Sequence, residues 1–503
     1  MKNDAAHIKV ITASGEPLEL EAAAGWNLLE TLRANDISIA ANCGGRGTCG
    51  KCVVNIDDKE RLACQVNVAD GMRVKVKSGE ESFVIIEDYA SGKNLAEAPD
   101  NFDNLSVAVD IGTTTVVLQL IDSVSGKAAS TRSFLNPQRQ YGEDVISRIQ
   151  FANEGGLELL RDAVRKSLLD AIKSLCADVK ASPAQLKHIC VAGNTTMMYL
   201  LLGYACNSLG IYPFEPEFPH KDKYTFLEVF GADADGPPVY LLPWVSAYVG
   251  GDITAGYLDC RGSDGETVFL IDMGTNGEMM LWTGDNVFCC STAAGPAFEG
   301  GGIACGTGSI PGAISKIELA GDTYAYETIG GAEPVGICGS GVLDAAACLL
   351  EAEIIDETGR MDDDHFDDGV TIAARKDKKP ILFTQKDIRE LQLAKSAIRA
   401  GVEILMSEAG LGISQLDAVY LAGGFGQKLR IESAVKIGIL PEEMAQKVRS
   451  IGNSSLGGCA RVCRDLALLG EAGGLARRTK EMPLSTHPKF QDLFMDNMAF
   501  GDI

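Results

Sequence analysis

Two stretches of this 503-residue chain repeat one another, and that repeat constrains the fold more than any other feature. Ser106–Asp122 reads SVAVDIGTTTVVLQLID. An apolar strand ends in Asp110, turns through Ile111-Gly112, presents Thr113, Thr114 and Thr115, and re-enters a strand. Thr267–Trp282 reads TVFLIDMGTNGEMMLW, with Asp272 ahead of Gly274-Thr275-Asn276-Gly277. Two Asp-x-Gly-Thr hairpins about 160 residues apart predict an internal duplication in which each half gives one phosphate loop. Such a turn offers N–H groups and hydroxyls to phosphate, and aspartate holds Mg²⁺ through water. Gly-Thr turns also occur as plain hairpins, so strand-end turn formation is the alternative reading of Asp110 and Asp272. The chain carries neither a Walker A loop nor a Rossmann fingerprint.

A second constraint lies near the start. Cys43-Gly44-Gly45-Arg46-Gly47-Thr48-Cys49-Gly50-Lys51-Cys52 is followed by Cys64. Cys-only ligation with a C-x₂-C core and outlying partners is how chains hold iron–sulfur clusters. The interleaved glycines permit φ > 0 and aim backbone N–H groups at sulfide. The pattern predicts a [2Fe–2S] cluster on Cys43, Cys49, Cys52 and Cys64. Structural zinc is the alternative; zinc sites usually show two paired knuckles, and one C-x₂-C pair is present. A disulfide staple needs an oxidising compartment, and nothing upstream resembles a signal peptide. Of the other cysteines, Cys289 and Cys290 are adjacent, and Cys459 and Cys463 share one face of any helix. They read as reduced core thiols, with a second metal site as the alternative.

Forty-five basic residues against sixty-nine acidic ones give a net charge of −24. That balance argues against nucleic acid or an anionic membrane as partner and suits a protein that docks onto other proteins. The apolar run near Val239–Val249 is broken by Pro243 and is too short to cross a bilayer. The expected location is the cytoplasm. Residues 1–80 read as one small domain: a hairpin (His7–Ala13, Pro17–Ala23), a helix (Asn27–Ala34), the cysteine loop, then strands Cys52–Ile56 and Met72–Val76. Residues 81–104 read as a linker, 105–260 and 261–481 as two halves of one large unit, and 482–503 as a surface tail. The expected class is therefore α/β combined with α+β.

Further glycine turns follow strands in the large unit: Gly193-Asn194-Thr195-Thr196, Gly423-Gly424, Gly452-Asn453-Ser454-Ser455, and Gly339-Ser340-Gly341 at the start of a helix whose N-terminus can receive an anion. Asn194 reads as a nucleotide contact, with a helix cap as the alternative. The first domain resembles the β-grasp ferredoxins of the adrenodoxin and plant types. The second resembles the two-lobed, ribonuclease-H-like ATPases of the ASKHA superfamily. Asp110-Ile-Gly-Thr-Thr-Thr looks like phosphate motif one, Asp272-Met-Gly-Thr-Asn-Gly phosphate motif two, and Leu421-Ala-Gly-Gly-Phe-Gly the adenosine motif. The turns at Gly193 and Gly452 look like the two connecting motifs.

The fusion of the two resembles the reductive activators of corrinoid-dependent enzymes. The likeness extends to Asn136–Ile149, Ser291–Gly300 and the GICGSG turn. One departure is a short segment between cluster domain and ATPase, where some members carry an extra middle domain. The resemblance implies ATP-dependent transfer of one electron from a [2Fe–2S] cluster to cob(II)alamin in a partner protein, an upstream electron donor, and a possible homodimer. It implies that Asp110 and Asp272 organise Mg²⁺ and the attacking water. Phosphates then fall to Gly112, Thr113, Thr114, Thr115, Gly274, Thr275 and Asn276, and adenosine to Gly423 and Gly424, with Gly339–Gly341 nearby. Glu299 carries no assignment. The rival readings are an electron donor to a 2-hydroxyacyl-CoA dehydratase or similar low-potential enzyme, and a small-molecule kinase with a ferredoxin-like regulatory domain.

Overall fold

The computed structural model describes residues 5–76 except 13, 14, 16, 36, 38, 40–46, 48–51 and 58, and residues 104–501 except 219, 222, 232–235, 263, 264, 322, 377 and 424–428. The expected linker thus lies almost wholly outside the described residues.

In the first domain β1 (Ala5–Ile11) and β2 (Pro17–Ala23) pair antiparallel from Ala5↔Ala23 to Ile11↔Pro17. The period-two pattern of β1 buries Ala6, Ile8 and Val10 and leaves His7 and Lys9 outside. Helix α1 (Leu28–Ala34) begins where the Asn27 side chain accepts the N–H groups of Leu29 and Glu30, and it buries Leu28, Leu29 and Leu32. Strands β3 (Val53–Ile56), β4 (Lys59–Leu62) and β5 (Arg73–Val76) complete a sheet of order β2-β1-β5-β3-β4, with β5 parallel to β1. This is the expected β-grasp. Strand β4 was not anticipated, because Lys-Glu-Arg-Leu on a solvated edge has no buried alternation to betray it.

The next sheet contains β6 (Leu105–Ile111), β7 (Thr115–Asp122), β8 (Ala128–Leu135), β9 (Ile189–Gly193), β10 (Lys223–Tyr224) and β11 (Val239–Leu241) in the order β10-β11-β9-β6-β7-β8. Helices α2 (Val145–Phe151), α3 (Leu157–Asp178), α4 (Thr195–Leu202), α5 (Asn207–Gly210) and α6 (Phe226–Phe230) contribute to the core on one face; α7 (Gly251–Cys260) follows β11. The last sheet repeats the plan. Strands β12 (Thr267–Met273), β13 (Gly277–Thr283) and β14 (Asn286–Thr292) form the antiparallel meander. After them come β15 (Ala313–Ala320), β16 (Thr323–Thr328), β17 (Gly336–Ile337), α8 (Gly339–Glu351), β18 (Val370–Ala373), β19 (Ile381–Phe383) and α9 (Gln385–Ala409). The chain then supplies β20 (Ala418–Ala422), α10 (Ile431–Lys436), β21 (Val448–Gly452), α11 (Ser454–Arg464), α12 (Leu468–Arg478), β22 (Lys480–Glu481) and α13 (Phe490–Asp496).

The two large sheets superpose in topology: β8-β7-β6-β9-β11 corresponds to β14-β13-β12-β20-β21, three antiparallel strands followed by two parallel ones. Register follows too, since Asp110 pairs with Ala192 and Asp272 with Ala422. Helices α7 and α11, each following its half's outer parallel strand, pack against each other at the junction. A Cβ on Gly458 would meet the Ala255 carbonyl at 2.0 Å, so only glycine permits that approach.

This symmetry changes one expectation. The mate of Asn453-Ser454-Ser455, the cap and first residues of α11, is Gly250-Gly251-Asp252 at the start of α7, and the mate of Gly423 is Gly193. A Cβ on Gly193 would meet the Ile111 carbonyl at 2.6 Å, and one on Gly423 the Met273 carbonyl at 2.4 Å. The C-terminal segment also differs from the expected surface tail. Met498 and Ala499 carbonyls accept from Gln392 and Lys395 of α9, and Phe500 is 2% exposed. No described helix is long and apolar enough to cross a membrane.

Candidate functional site: a two-loop phosphate cleft and a cysteine pair

Antiparallel pairing of β3 with β4 sets Val53 opposite Leu62, so the residues that flank this pair, Cys52 and Ala63, fall side by side. The Ala63 N–H donates to the Cys52 carbonyl, and the Asn27 amide donates to the Cys64 carbonyl. The two sulfurs stand 3.2 Å apart, both buried. That is far beyond a disulfide bond of about 2.05 Å. It is within the reach of two thiolates on one tetrahedral metal with metal–sulfur bonds of about 2.3 Å. The pair therefore fits half of a cluster ligand set. Cys43 and Cys49 lie outside the described residues.

The two phosphate loops face each other across the lobes. Gly112 N–H donates to the Thr115 carbonyl, and Gly274 N–H to the Asn276 carbonyl, which tightens each turn behind its strand-end aspartate. Glu299, in a short helical turn (Pro296–Glu299) beyond β14, clasps both loops: its Oε2 accepts from Thr114 Oγ1 and from Thr275 Oγ1, each at 2.9 Å. Gly112–Thr115, Asn194, Gly274, Thr275, Asn276 and Gly423 all line one cleft. Asn194 has the foreseen cap role, accepting the Met197 N–H at the start of α4, and its amide donates to Thr113 Oγ1 at 3.0 Å. Gly424 lies outside the described residues.

Five carboxylates converge on the same cleft: Asp110, Asp252, Asp272, Glu278 and Glu299. Asp110 is braced from α11, accepting from the Asn453 amide on Oδ2 and from Ser455 Oγ on Oδ1, both at 2.7 Å. Desolvation still holds its carboxyl above the ordinary range, against the pull of those two donors. Asp272 is pushed up to about 8 by desolvation and by the charges of Asp252, Asp110 and Glu299. Asp252 rises to about 7 by desolvation and the charge of Asp110, and Glu278 is raised by desolvation and by the charges of Asp252 and Asp272. No Lys or Arg is among the described lining residues. Crowded hard oxygen donors without a side-chain cation fit Mg²⁺. A positive charge sits behind loop one: buried Arg148 donates to the carbonyls of Thr113 (2.6 Å) and Gly142 (2.9 Å). Desolvation lowers its guanidinium only to about 9, so it stays charged at neutral pH.

Asp252 and Glu278 were missed from the sequence. Their signal was available in the repeat: Gly250-Gly251-Asp252 mirrors Asn453-Ser454-Ser455, and Glu278 is the ladder partner of Asp272. Gly339, Ser340 and Gly341 depart from expectation. A Cβ on Gly339 would meet the Phe298 carbonyl at 1.8 Å and one on Gly341 the Ile314 carbonyl at 2.3 Å, and Ser340 Oγ donates to the Ser315 carbonyl. Those residues are spent on packing α8, and they do not line the cleft. The stretch Asn136–Ile149 gains a role. Asn136 donates to the Gly112 carbonyl, Arg148 to Thr113, and between them Gln140 accepts from Arg33 of α1, whose guanidinium lies 5.0 Å from the Tyr141 ring centre.

Comparison with known proteins agrees with this geometry. Residues 11–69 match the model of the 2Fe-2S iron-sulfur cluster binding domain, 105–262 that of the RACo middle region, and 266–502 that of the C-terminal domain of RACo, the ASKHA domain. The family's middle region thus falls on the first of the two repeated halves. The corrinoid activation enzyme RamQ of Eubacterium limosum is 30% identical, over 92% of this chain and 94% of that protein. The [Co(II) methylated amine-specific corrinoid protein] reductase of Methanosarcina barkeri is 25% identical over 78% of this chain and 76% of its own. A solved structure of a reductive activator for corrinoid, iron-sulfur protein aligns over 98% of both chains with a TM-score of 0.72 and 29% identity. A ferredoxin-fold domain, a duplicated phosphate-loop ATPase and identity spread over nine-tenths of the sequence together establish that the chain belongs to the family of reductive activators of corrinoid proteins.

Proposed function

We propose that this chain uses ATP to drive one-electron reduction of cob(II)alamin to cob(I)alamin in a corrinoid partner protein. The observation that carries the reading is the meeting of two Asp-x-Gly-Thr loops over a carboxylate-lined cleft, in a chain whose first domain brings Cys52 and Cys64 within reach of one metal. Mg²⁺ held by Asp110 and Asp272 supplies positive charge to the phosphates, and a [2Fe–2S] cluster held by Cys43, Cys49, Cys52 and Cys64 supplies the electron.

The chain's own groups do the rest. Gly112–Thr115 and Gly274–Asn276 donate N–H and hydroxyl groups to the phosphates, with the charge of Arg148 behind Thr113. Asp252, a carboxylate in the same cleft, accepts the proton of the attacking water. Gly423 and Gly424 face the adenosine. Glu299 gives up the hydroxyls of Thr114 and Thr275 when phosphate takes them, so ATP and Glu299 favour different separations of the two lobes. A nucleotide shifts an equilibrium only by its differential affinity for two states. Lobe closure is such a pair of states, and it biases how the ATPase grips the corrinoid protein. The electron comes to the chain from an upstream reductant, the protein acts in the cytoplasm, and a homodimer is its working form.

Anaerobic mixing of the reduced protein with Mg-ATP and a cob(II)alamin-carrying protein tests the proposal. The cob(I)alamin absorption spectrum should grow in with ATP present and fail to do so without it. Equal reduction in the absence of ATP, or a phosphorylated metabolite formed without any need for reductant, would end this reading.

A further inference from the structure

Away from the cleft, the described residues contain a buried trio of metal-ligating side chains. His188 immediately precedes β9, Cys190 lies within it, and Cys463 is in the last turn of α11. One ligand atom from each lies within 4.8 Å of the other two. Cys190 is 0% exposed, Cys463 1% and His188 8%. The sequence placed Cys463 on one helical face with Cys459; the fold brings a histidine and a further cysteine from a neighbouring strand onto that face.

We propose that His188, Cys190 and Cys463 form a structural zinc site, with Cys459 as fourth donor, that clips β9 to α11. Thiolate and imidazole are the donors zinc takes in closed structural sites. Two thiolates on one zinc stand about 3.8 Å apart for Zn–S bonds of about 2.3 Å, inside the 4.8 Å that bounds the trio. The His188 Nε2 lies 3.1 Å from the Cys463 carbonyl; with the proton there, Nδ1 is left as the lone-pair atom. A ligating histidine characteristically donates its other N–H in this way. Cys459, one turn before Cys463, now spends its thiol on the Val109 carbonyl at 3.5 Å, an interaction weak enough to be exchanged for a metal bond.

Charge decides between the thiophilic ions. The surroundings are apolar, with Ala108, Leu258 and Val462 in the same cluster. A divalent ion balances two thiolates, and with Cys459 leaves one negative charge; monovalent copper leaves one more negative charge in either case. Unbalanced charge is costly in such an interior. Each thiol that binds gives its proton to solvent. The clip would sit behind the nucleotide site, because β9 leads into Asn194 and α11 starts beside Asn453 and Ser455, the groups that hold Thr113 and Asp110.

The test uses the cluster-loaded, full-length protein, incubated anaerobically with Zn²⁺ and then desalted through a chelator. Retention of about one zinc per chain is expected, falling to background in the Cys190→Ala/Cys463→Ala double variant while iron stays at about two per chain. Zinc K-edge absorption of the unaltered protein needs no variant to fold. It should show a mixed shell, sulfur at about 2.3 Å and nitrogen at about 2.0 Å. No retained zinc, a shell of sulfur alone (zinc in the cluster cysteines), or a shell of light atoms alone overturns the proposal.

Discussion

The two phosphate loops began as copies of one hairpin, and their surroundings have made them different. Asp110 of loop one is cradled by two neutral donors from α11, whereas Asp272 of loop two faces three like charges and its carboxyl rises to about 8. The helix that packs behind each loop makes the difference. Alpha-11 presents Asn453 and Ser455 to Asp110; its mate α7 presents Asp252, whose charge is the largest electrostatic burden on Asp272. Duplication supplied the geometry. Divergence at the two interlobe turns left one carboxyl braced by hydrogen bonds and one crowded by like charge.

The largest expected effect separates the two aspartates in opposite directions. Asp110→Asn and Asp272→Asn should each slow Mg-dependent ATP hydrolysis by about 10²–10³-fold. Their effects on the metal-free fold should differ in sign. Asp110→Asn turns one accepting oxygen into a donor facing Asn453 or Ser455 and should cost about 1–3 kcal/mol. Asp272→Asn removes a carboxyl whose ionisation its neighbours oppose and should leave the protein as stable or more so. Denaturant unfolding in EDTA measures both, and equal destabilisation by the two variants would show that the loops have not diverged as described.

The next effect is a pH dependence carried by the crowded side. Asp272 in the folded protein holds its proton up to about 8, against 3.8 ordinarily, and Asp252 holds its own up to about 7. A carboxyl whose folded value is raised contributes stability at low pH that is lost as pH rises through the folded value. In EDTA the thermal midpoint should therefore fall from about pH 4 to about pH 8, more steeply below about pH 7, where both carboxyls hold protons that the unfolded chain has released. Saturating Mg²⁺ should abolish the fall, because the ion replaces the protons, and Asp272→Asn should blunt it. A flat profile in EDTA would remove the case for a strained carboxylate cluster.

Much of this was legible before any coordinates. The Asp-x-Gly-Thr repeat announced two strand-turn-strand units, because a duplicated hairpin keeps its hydrophobic alternation and its turn residues together in sequence. The β-grasp was legible for the same reason, since Ile8 and Val10 alternate with polar residues along β1. What was hidden was long-range. Asp252 sits in a Gly-Gly-Asp turn that has no local oddity, and only its packing beside Asp110 gives it a task. Gly339 and Gly341 looked like an anion site because close backbone packing and phosphate binding call for the same residue. Glu299 could not be assigned, as its partners lie 185 and 24 residues away in two different loops.

A smaller and symmetric effect should appear at the clasp. Thr114 and Thr275 donate equally to Glu299 and line the same cleft, so the divergence seen at the aspartates stops at the threonines. Thr114→Val and Thr275→Val should each weaken ATP binding by about tenfold, the worth of one hydrogen bond of about 1.4 kcal/mol. Glu299→Gln should tighten it by a few-fold, since a neutral amide competes less well than a carboxylate for hydroxyls that phosphate also needs. Isothermal titration with a non-hydrolysable ATP analogue reads all three. Tenfold loss at one threonine and none at the other would extend the asymmetry into the loops themselves.

The smallest effect concerns a second asymmetry, since among the described contacts it is loop one that connects toward the cluster domain. Asn136 and Arg148 hold the carbonyls of Gly112 and Thr113, and the segment between them receives Arg33 from α1, the helix whose cap, Asn27, holds the Cys64 carbonyl. Hydrogen bonds and one packed helix thus run from a cluster cysteine to a phosphate loop. Arg33→Ala removes the link at the surface where the two domains touch, at a cost of about 1 kcal/mol for a guanidinium over a ring. ATP hydrolysis should be unchanged, because Arg33 touches nothing in the cleft. Electron delivery to the corrinoid partner should slow by a few-fold, and the dependence of that rate on ATP concentration should flatten. Stopped-flow spectroscopy of cob(I)alamin formation separates the two readouts. A change in hydrolysis with electron delivery intact would mean that Arg33 props the loop and carries nothing between the domains.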